Sequence, residues 1–135
     1  MYLLDTDVLS ALMRPDPPEH LLSRFSKYRK SELFTSSINR GELRYGISRA
    51  RKEERYRLRM ERLWNHVNVL SFDVRAADIY ADLRCELAGK GMRLADADLM
   101  IAAVCLANGL TLATGNERHL RRMDELAFEN WLREP

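Results

Sequence analysis

The chain is 135 residues long, 46% hydrophobic and 31% charged, which fits one folded domain spanning residues 1–135 and excludes a disordered polymer. Its longest apolar run, Leu99 to Ala107, is nine residues, about half of the ~20 that a membrane span needs. Asp5 and Asp7 arrive too early for a signal segment, so a soluble cytoplasmic protein is expected.

Tyr2 to Leu4 reads as a short buried strand. Val8, Leu9, Leu12 and Met13 then recur at helical spacing until Arg14-Pro15-Asp16-Pro17-Pro18 stops the helix. A second helix is expected from Pro18 towards Tyr28, with Leu21, Leu22 and Phe25 inward, and a second strand at Leu33 to Thr35. Ser36-Ser37 caps the stretch INRGELRYGI, a helix with Ile38, Leu43 and Ile47 on its apolar side. Arg49 to Trp64 is expected as one basic helix with Tyr56, Met60, Leu63 and Trp64 inward. Between Arg40 and Arg62, nine Arg or Lys meet four Glu, although the whole chain carries only +2. Such a local excess suits an anionic polymer on one face, or equally a solvated helix rich in i,i+4 pairs.

Val67 to Phe72 is a third strand, and Asp73 starts a long helix that Gly89 or Gly91 closes. The stretch ADADLMIAAVCLANG, Ala95 to Gly109, is apolar all round and should form the central buried helix, with Asp96 and Asp98 in its first turn. A fourth strand at Leu110 to Ala113, a short helix over Asn116 to Met123 and a last strand at Leu126 to Phe128 complete the chain. Cys85 and Cys105 belong to no CxxC pair or Cys/His cluster and read as buried thiols in a reducing compartment.

Short apolar strands alternating with helices predict an α/β/α sandwich around a mainly parallel central sheet. In such folds the working crevice lies outside the carboxyl ends of the strands. Asp5, Thr6 and Asp7 follow the first strand and Thr114-Gly115-Asn116 the fourth, while Asp96 and Asp98 open the buried helix. Glu42 lies one turn into the helix after the second strand. Converging carboxylates raise one another's pKa unless a cation neutralises them, and a hard divalent cation such as Mg2+ takes oxygen ligands. Each residue also has an ordinary reading. Asp96 and Asp98 complement a helix dipole, Asp5, Thr6 or Asn116 caps a helix, Glu42 faces solvent, and Thr114 ends a strand.

The stretches LLDTDVLSAL, SSINRGELRYGI, ADLMIAA and LATGN, before a closing ENWL, together resemble the PIN domain. More narrowly they are similar to the VapC-type toxins of bacterial toxin–antitoxin pairs and their FitB-like relatives. The resemblance implies a bacterial, Mg2+- or Mn2+-dependent endoribonuclease that hydrolyses RNA with metal-activated water. It also implies neutralisation by a cognate VapB-type antitoxin, and a homodimer. Carried over position by position, Asp5, Glu42 and Asp98 match the metal-holding acids. Asn116 falls where many members have a fourth acid, and Thr114 matches the small hydroxyl residue. Asp7 stands where Asn is common, and Asp96 is an additional acid. Residues two apart on a helix point ~200° away from one another, which separates Asp96 from Asp98, and Arg44 from Glu42. Arg44 and Arg118 are candidate contacts to the RNA backbone. An antitoxin would place a basic side chain among the carboxylates and a helix beside Val8, Leu9 and Leu12.

The enzymatic alternative is a haloacid-dehalogenase-like phosphatase with Asp5 as nucleophile. It leaves Glu42 and Asn116 without roles, and it wants Thr or Val where Leu9 stands. The non-enzymatic alternative is a catalytically silent PIN-like module that binds RNA or protein. His20, His66 and His119 read as surface or structural residues.

Overall fold

The computed structural model describes residues 1–135 and alternates five short strands with seven α-helices. The strands are β1 (Tyr2–Leu4), β2 (Leu33–Ser36), β3 (Asn68–Leu70), β4 (Thr111–Thr114) and β5 (Phe128–Asn130). The helices are α1 (Thr6–Leu12), α2 (Glu19–Phe25), α3 (Ser37–Arg49), α4 (Glu53–His66), α5 (Val74–Gly89), α6 (Asp96–Ala107) and α7 (Glu117–Leu120). The sheet runs β3-β2-β1-β4-β5, and every neighbouring pair is parallel.

Alternation along β1 and β4 divides the core into two layers. Leu3 and Leu112 face one way, into a cluster with α5 and the buried side chains of α6. Leu4 and Ala113 face the other, against Val8, Leu9, Leu21, Leu43 and Leu63 from α1 to α4. The sheet is thus covered on both sides, as the apolar strands require. No helix is long and apolar enough to cross a membrane.

Three helices end in the same way. After α5 and α6, Gly91 (φ 68°) and Gly109 (φ 62°) take the left-handed conformation. Met92 N–H then bonds back to Leu87 O and Leu110 N–H to Cys105 O, closing Schellman motifs. After α3 the same position is held by Arg51 at φ 55°, with Lys52 N–H on Ile47 O. The basic helix expected from Arg49 therefore starts only at Glu53, because Arg49 still belongs to α3 and residues 50–52 form the turn. A non-glycine residue pays about 1–2 kcal/mol for this conformation, so no glycine advertised the break.

Other boundaries also moved. The third strand is only Asn68–Leu70, the short helix only Glu117–Leu120, and the last strand lies at Phe128–Asn130. Leu126 belongs instead to a turn closed by its N–H on Met123 O, and its side chain is buried among those of α5 and α6. Beyond β5, Trp131 is fully buried and packs on Tyr2 and Tyr28. Glu129 accepts from Tyr2 Oη and from Arg24, which draws the C-terminal segment onto α2.

Candidate active site

The C-terminal ends of β1 and β4 lie side by side, with Leu4 opposite Ala113. Asp5 leaves β1 in extended conformation and caps α1, its Oδ1 accepting from Thr6 N–H at 2.9 Å. Capping is only part of its role. Oδ1 also accepts from Asn39 Nδ2 at 3.0 Å, and Oδ2 from Thr114 Oγ1 at 2.7 Å. Thr114, fully buried at the end of β4, takes Asn116 N–H on the same hydroxyl at 3.0 Å. Three elements thereby fix one carboxylate.

Asp7 turns towards the β4 loop. Its Oδ2 accepts from Gly115 N–H at 2.9 Å, while Oδ1 is buried with no hydrogen-bond partner. Burial, reinforced by the charge of Asp5, raises the Asp7 pKa. Gly115 is required here by close approach. A Cβ would lie 2.6 Å from Leu132 Cδ1 and 3.0 Å from Asp7 Oδ2.

Asp98 sits in the first turn of α6. Burial and then the Asp5 charge raise its pKa, with His119 acting the other way. The same field reaches Cys105, whose thiol is pushed up to about 12 by burial and then by Asp5. Glu42 is exposed on α3 and accepts from Thr6 Oγ1 at 2.7 Å. Thr6 Oγ1 in turn accepts from Asn39 Nδ2 at 2.9 Å.

The predicted residues do not all meet. Asp5, Thr6, Glu42 and Thr114 are joined by the hydrogen bonds above, while Asp7 bonds only to Gly115 N–H beside Thr114, and the charge of Asp5 contributes to the raised pKa of Asp98. Asp96, expected as a supporting acid, instead accepts from Tyr80 Oη at 2.9 Å and lies 3.3 Å from Arg84 Nη1, both on α5. The physical reason is the helix start. Residue 96 is the first of α6, so Asp96 and Asp98 diverge by ~200°. Asn116 precedes α7, yet its side chain makes no capping bond and it is exposed. Arg44 and Arg118 are exposed as well.

Sequence reading missed three contributors. Asn39 carries the central amide, and its one signal was the capping pattern Ser36-x-x-Asn39. Gly115 reads only as part of the Thr114-Gly115-Asn116 stretch after the fourth strand, with no role of its own. His119, read as a bystander, acts electrostatically on Asp98, which only the placement of α7 reveals.

No arginine or lysine forms an ion pair with Asp5, Asp7, Glu42 or Asp98. No three His, Cys, Asp or Glu residues stand close enough to grip an ion as the side chains lie. The donor set nonetheless fits a hard divalent cation. It is all oxygen, it includes the unpartnered buried Oδ1 of Asp7, and Mg2+ typically uses one or two carboxylates with waters completing its shell.

Comparison with known proteins agrees with this fold. The PIN domain matches residues 2–126. The tRNA(fMet)-specific endonuclease VapC of Salmonella typhimurium is 32% identical over 130 residues, covering 96% of this chain and 97% of the relative. Toxin FitB of Neisseria gonorrhoeae is 31% identical over 137 residues, covering 97% and 99%. Among solved structures, DNA-bound VapBC from Salmonella typhimurium aligns with a TM-score of 0.88 at 32% identity, covering 96% of this chain and 97% of that one.

Proposed function

The chain belongs to the PIN domain family, and from that premise we propose that it is the ribonuclease toxin of a toxin–antitoxin pair. It hydrolyses RNA phosphodiester bonds with the help of Mg2+, for which Mn2+ substitutes. The observation that carries the metal-dependent part is the placement of Asp5 and Asp7 at the carboxyl end of β1 and of Asp98 in the first turn of α6, with no arginine or lysine in an ion pair with any of them. End-to-end similarity to a VapC endonuclease and to toxin FitB supports the toxin reading. Similarity to a VapBC complex supports a VapB-type antitoxin as partner. Family membership sets aside the phosphatase alternative.

In this reading Asp5, Asp98 and Glu42 would hold the ion, and the unpartnered Oδ1 of Asp7 would add a ligand or a water contact. When bound, the ion supplies an activated water and shields the charge that develops on the phosphate. The chain's own residues prepare the site. Thr114, Asn39 and Thr6 N–H fix both oxygens of Asp5. The exposed Asn116 amide offers a donor and an acceptor at the rim, and Arg44 and Arg118 take backbone phosphates, which position RNA without reading its sequence. A single-stranded segment or an exposed loop suits a recessed acidic site better than a duplex. The tRNA in the name of the Salmonella relative supports structured RNA with exposed loops as the substrate class.

The test is cleavage of a mixed pool of structured RNA by antitoxin-free protein in Mn2+, in EDTA, and with Asp98→Asn. Cuts that need metal and vanish in the variant are expected. Cuts that survive in Asp98→Asn, or none from folded protein, would overturn the proposal, the second result leaving a silent RNA- or protein-binding module.

A further inference from the structure

We propose that Asn39 is a positioning residue that sets the spacing of the Asp5 and Glu42 carboxylates, acting on Glu42 through the Thr6 hydroxyl. The proposal rests on the metal-dependent reading above and concerns how two of its ligands, from different elements, are held.

The hydrogen bonds leave one orientation for the Asn39 amide. Its oxygen faces Ser36, accepting from the backbone N–H at 3.3 Å and from Oγ at 2.6 Å. Its nitrogen faces Asp5 Oδ1 at 3.0 Å and Thr6 Oγ1 at 2.9 Å. A backbone N–H only donates and an ionised carboxylate only accepts, so a flipped amide fails on both sides. With one amide proton on Asp5 and the other on Thr6, the threonine proton is left free for Glu42 Oε1 at 2.7 Å. Donation therefore runs in one direction, from Ser36 through Asn39 to Asp5 and, by way of Thr6, to Glu42.

Helix capping accounts for only half of these bonds. The capping box of α3 uses Asn39 N–H and Oδ1 together with Ser36; the two bonds from Nδ2 contribute nothing to it. Both of those lead to proposed ligands. Asn39 is fully buried, so water does not replace a lost bond on its side. Glu42, by contrast, is exposed, and the Thr6 hydroxyl is the group that restrains an otherwise mobile side chain. Partners that orient metal ligands typically change metal affinity or activity by roughly 10–100-fold when removed.

Mn2+ affinity of antitoxin-free protein, by calorimetry and by the Mn2+-induced rise in melting temperature, separates this role from a structural one. Asn39→Leu removes both Nδ2 bonds, to Asp5 and to the Thr6 hydroxyl. Thr6→Val removes the two bonds of the Thr6 hydroxyl, from Asn39 and to Glu42, and leaves Asn39 on Asp5, so it keeps the test open should Asn39→Leu fail to fold. Thr6→Ser preserves the hydroxyl. The expected result is that Thr6→Val, which also strips the buried Asn39 Nδ2 of one acceptor and so lowers the metal-free melting temperature, binds Mn2+ at least roughly 10-fold more weakly, and that Thr6→Ser restores both wild-type binding and stability. A lower metal-free melting temperature with unchanged Mn2+ affinity in Thr6→Val would show a structural role only and overturn the proposal. Unchanged Mn2+ affinity in folded Asn39→Leu would overturn it too. Wild-type protein that binds no Mn2+ by either readout overturns the metal reading itself, and the positioning role with it.

Discussion

Thr114→Val isolates one bond of the candidate site while nearly preserving shape. Threonine and valine are close in volume, and Thr114 is fully buried in β4, so the exchange leaves packing almost untouched. What disappears is the hydroxyl that donates to Asp5 Oδ2 at 2.7 Å and accepts from Asn116 N–H at 3.0 Å. A hydrogen bond to a charged group contributes ~1.5–3 kcal/mol. The freed Asn116 N–H belongs to an exposed residue, where water supplies a replacement, so the Asp5 bond dominates. A loss of about 2 kcal/mol is expected. For a chain of 135 residues, that lowers the melting temperature by roughly 7 °C. Thr114→Ser keeps both bonds and loses only a methyl group, costing about 1 kcal/mol. Urea unfolding of metal-free protein, with the m-value checked for constancy, reads both variants. If Thr114→Val is as stable as Thr114→Ser, or more so, the hydroxyl does not hold Asp5 and the reasoning fails.

Three further perturbations probe the surroundings. Gly115→Ala puts a methyl group 2.6 Å from Leu132 Cδ1 and should cost ~1–3 kcal/mol; Leu132→Ala in the same chain should recover part of that, and thermal unfolding of the single and double variants measures it. Asp96→Asn, whose side chain meets Tyr80 and Arg84 away from the other acids, should leave RNA cleavage within about twofold of wild type, and a larger loss would give Asp96 a part in the site. The raised pKa values of Asp7 and Asp98 mean that the folded chain binds protons more readily than the unfolded one. Their stabilising contribution is therefore present at low pH and lost as pH rises through the raised values. Metal-free Asp98→Asn should then gain on wild type as pH rises from 4 to 8, and parallel melting-temperature curves across that range would refute the coupling.

Much of the fold is legible in local pattern. β1, α1, the buried helix α6 and the helix-ending glycines Gly91 and Gly109 follow from apolar spacing and backbone freedom, both short-range properties. The shift of the start of α4 to Glu53 is not legible, because Arg51 takes the left-handed position after α3 where the other two helix ends have a glycine to mark it. Nor is the two-residue displacement of the last strand, which depends on Leu126 finding a place in the core. Within the site, Asp5, Asp98 and Thr114 lie at the ends of elements, where their chemistry is visible locally, whereas Glu42 lies inside α3 and is singled out with Asp5 and Asp98 by the resemblance to the PIN pattern.

The sequence by itself determined an α/β chain with its acids gathered at one edge of a parallel sheet, since strand direction and element order carry that information. Only the tertiary structure decided which acids work together. Helix phase turned Asp96 to Tyr80 and Arg84 while α6 kept Asp98 within reach of the Asp5 charge. Burial made Asn39 the hub of bonds from three residues distant in the chain or adjacent in space. Hydrogen bonds and fields act over a few ångströms, and those distances are fixed by packing between elements rather than by spacing along any one of them.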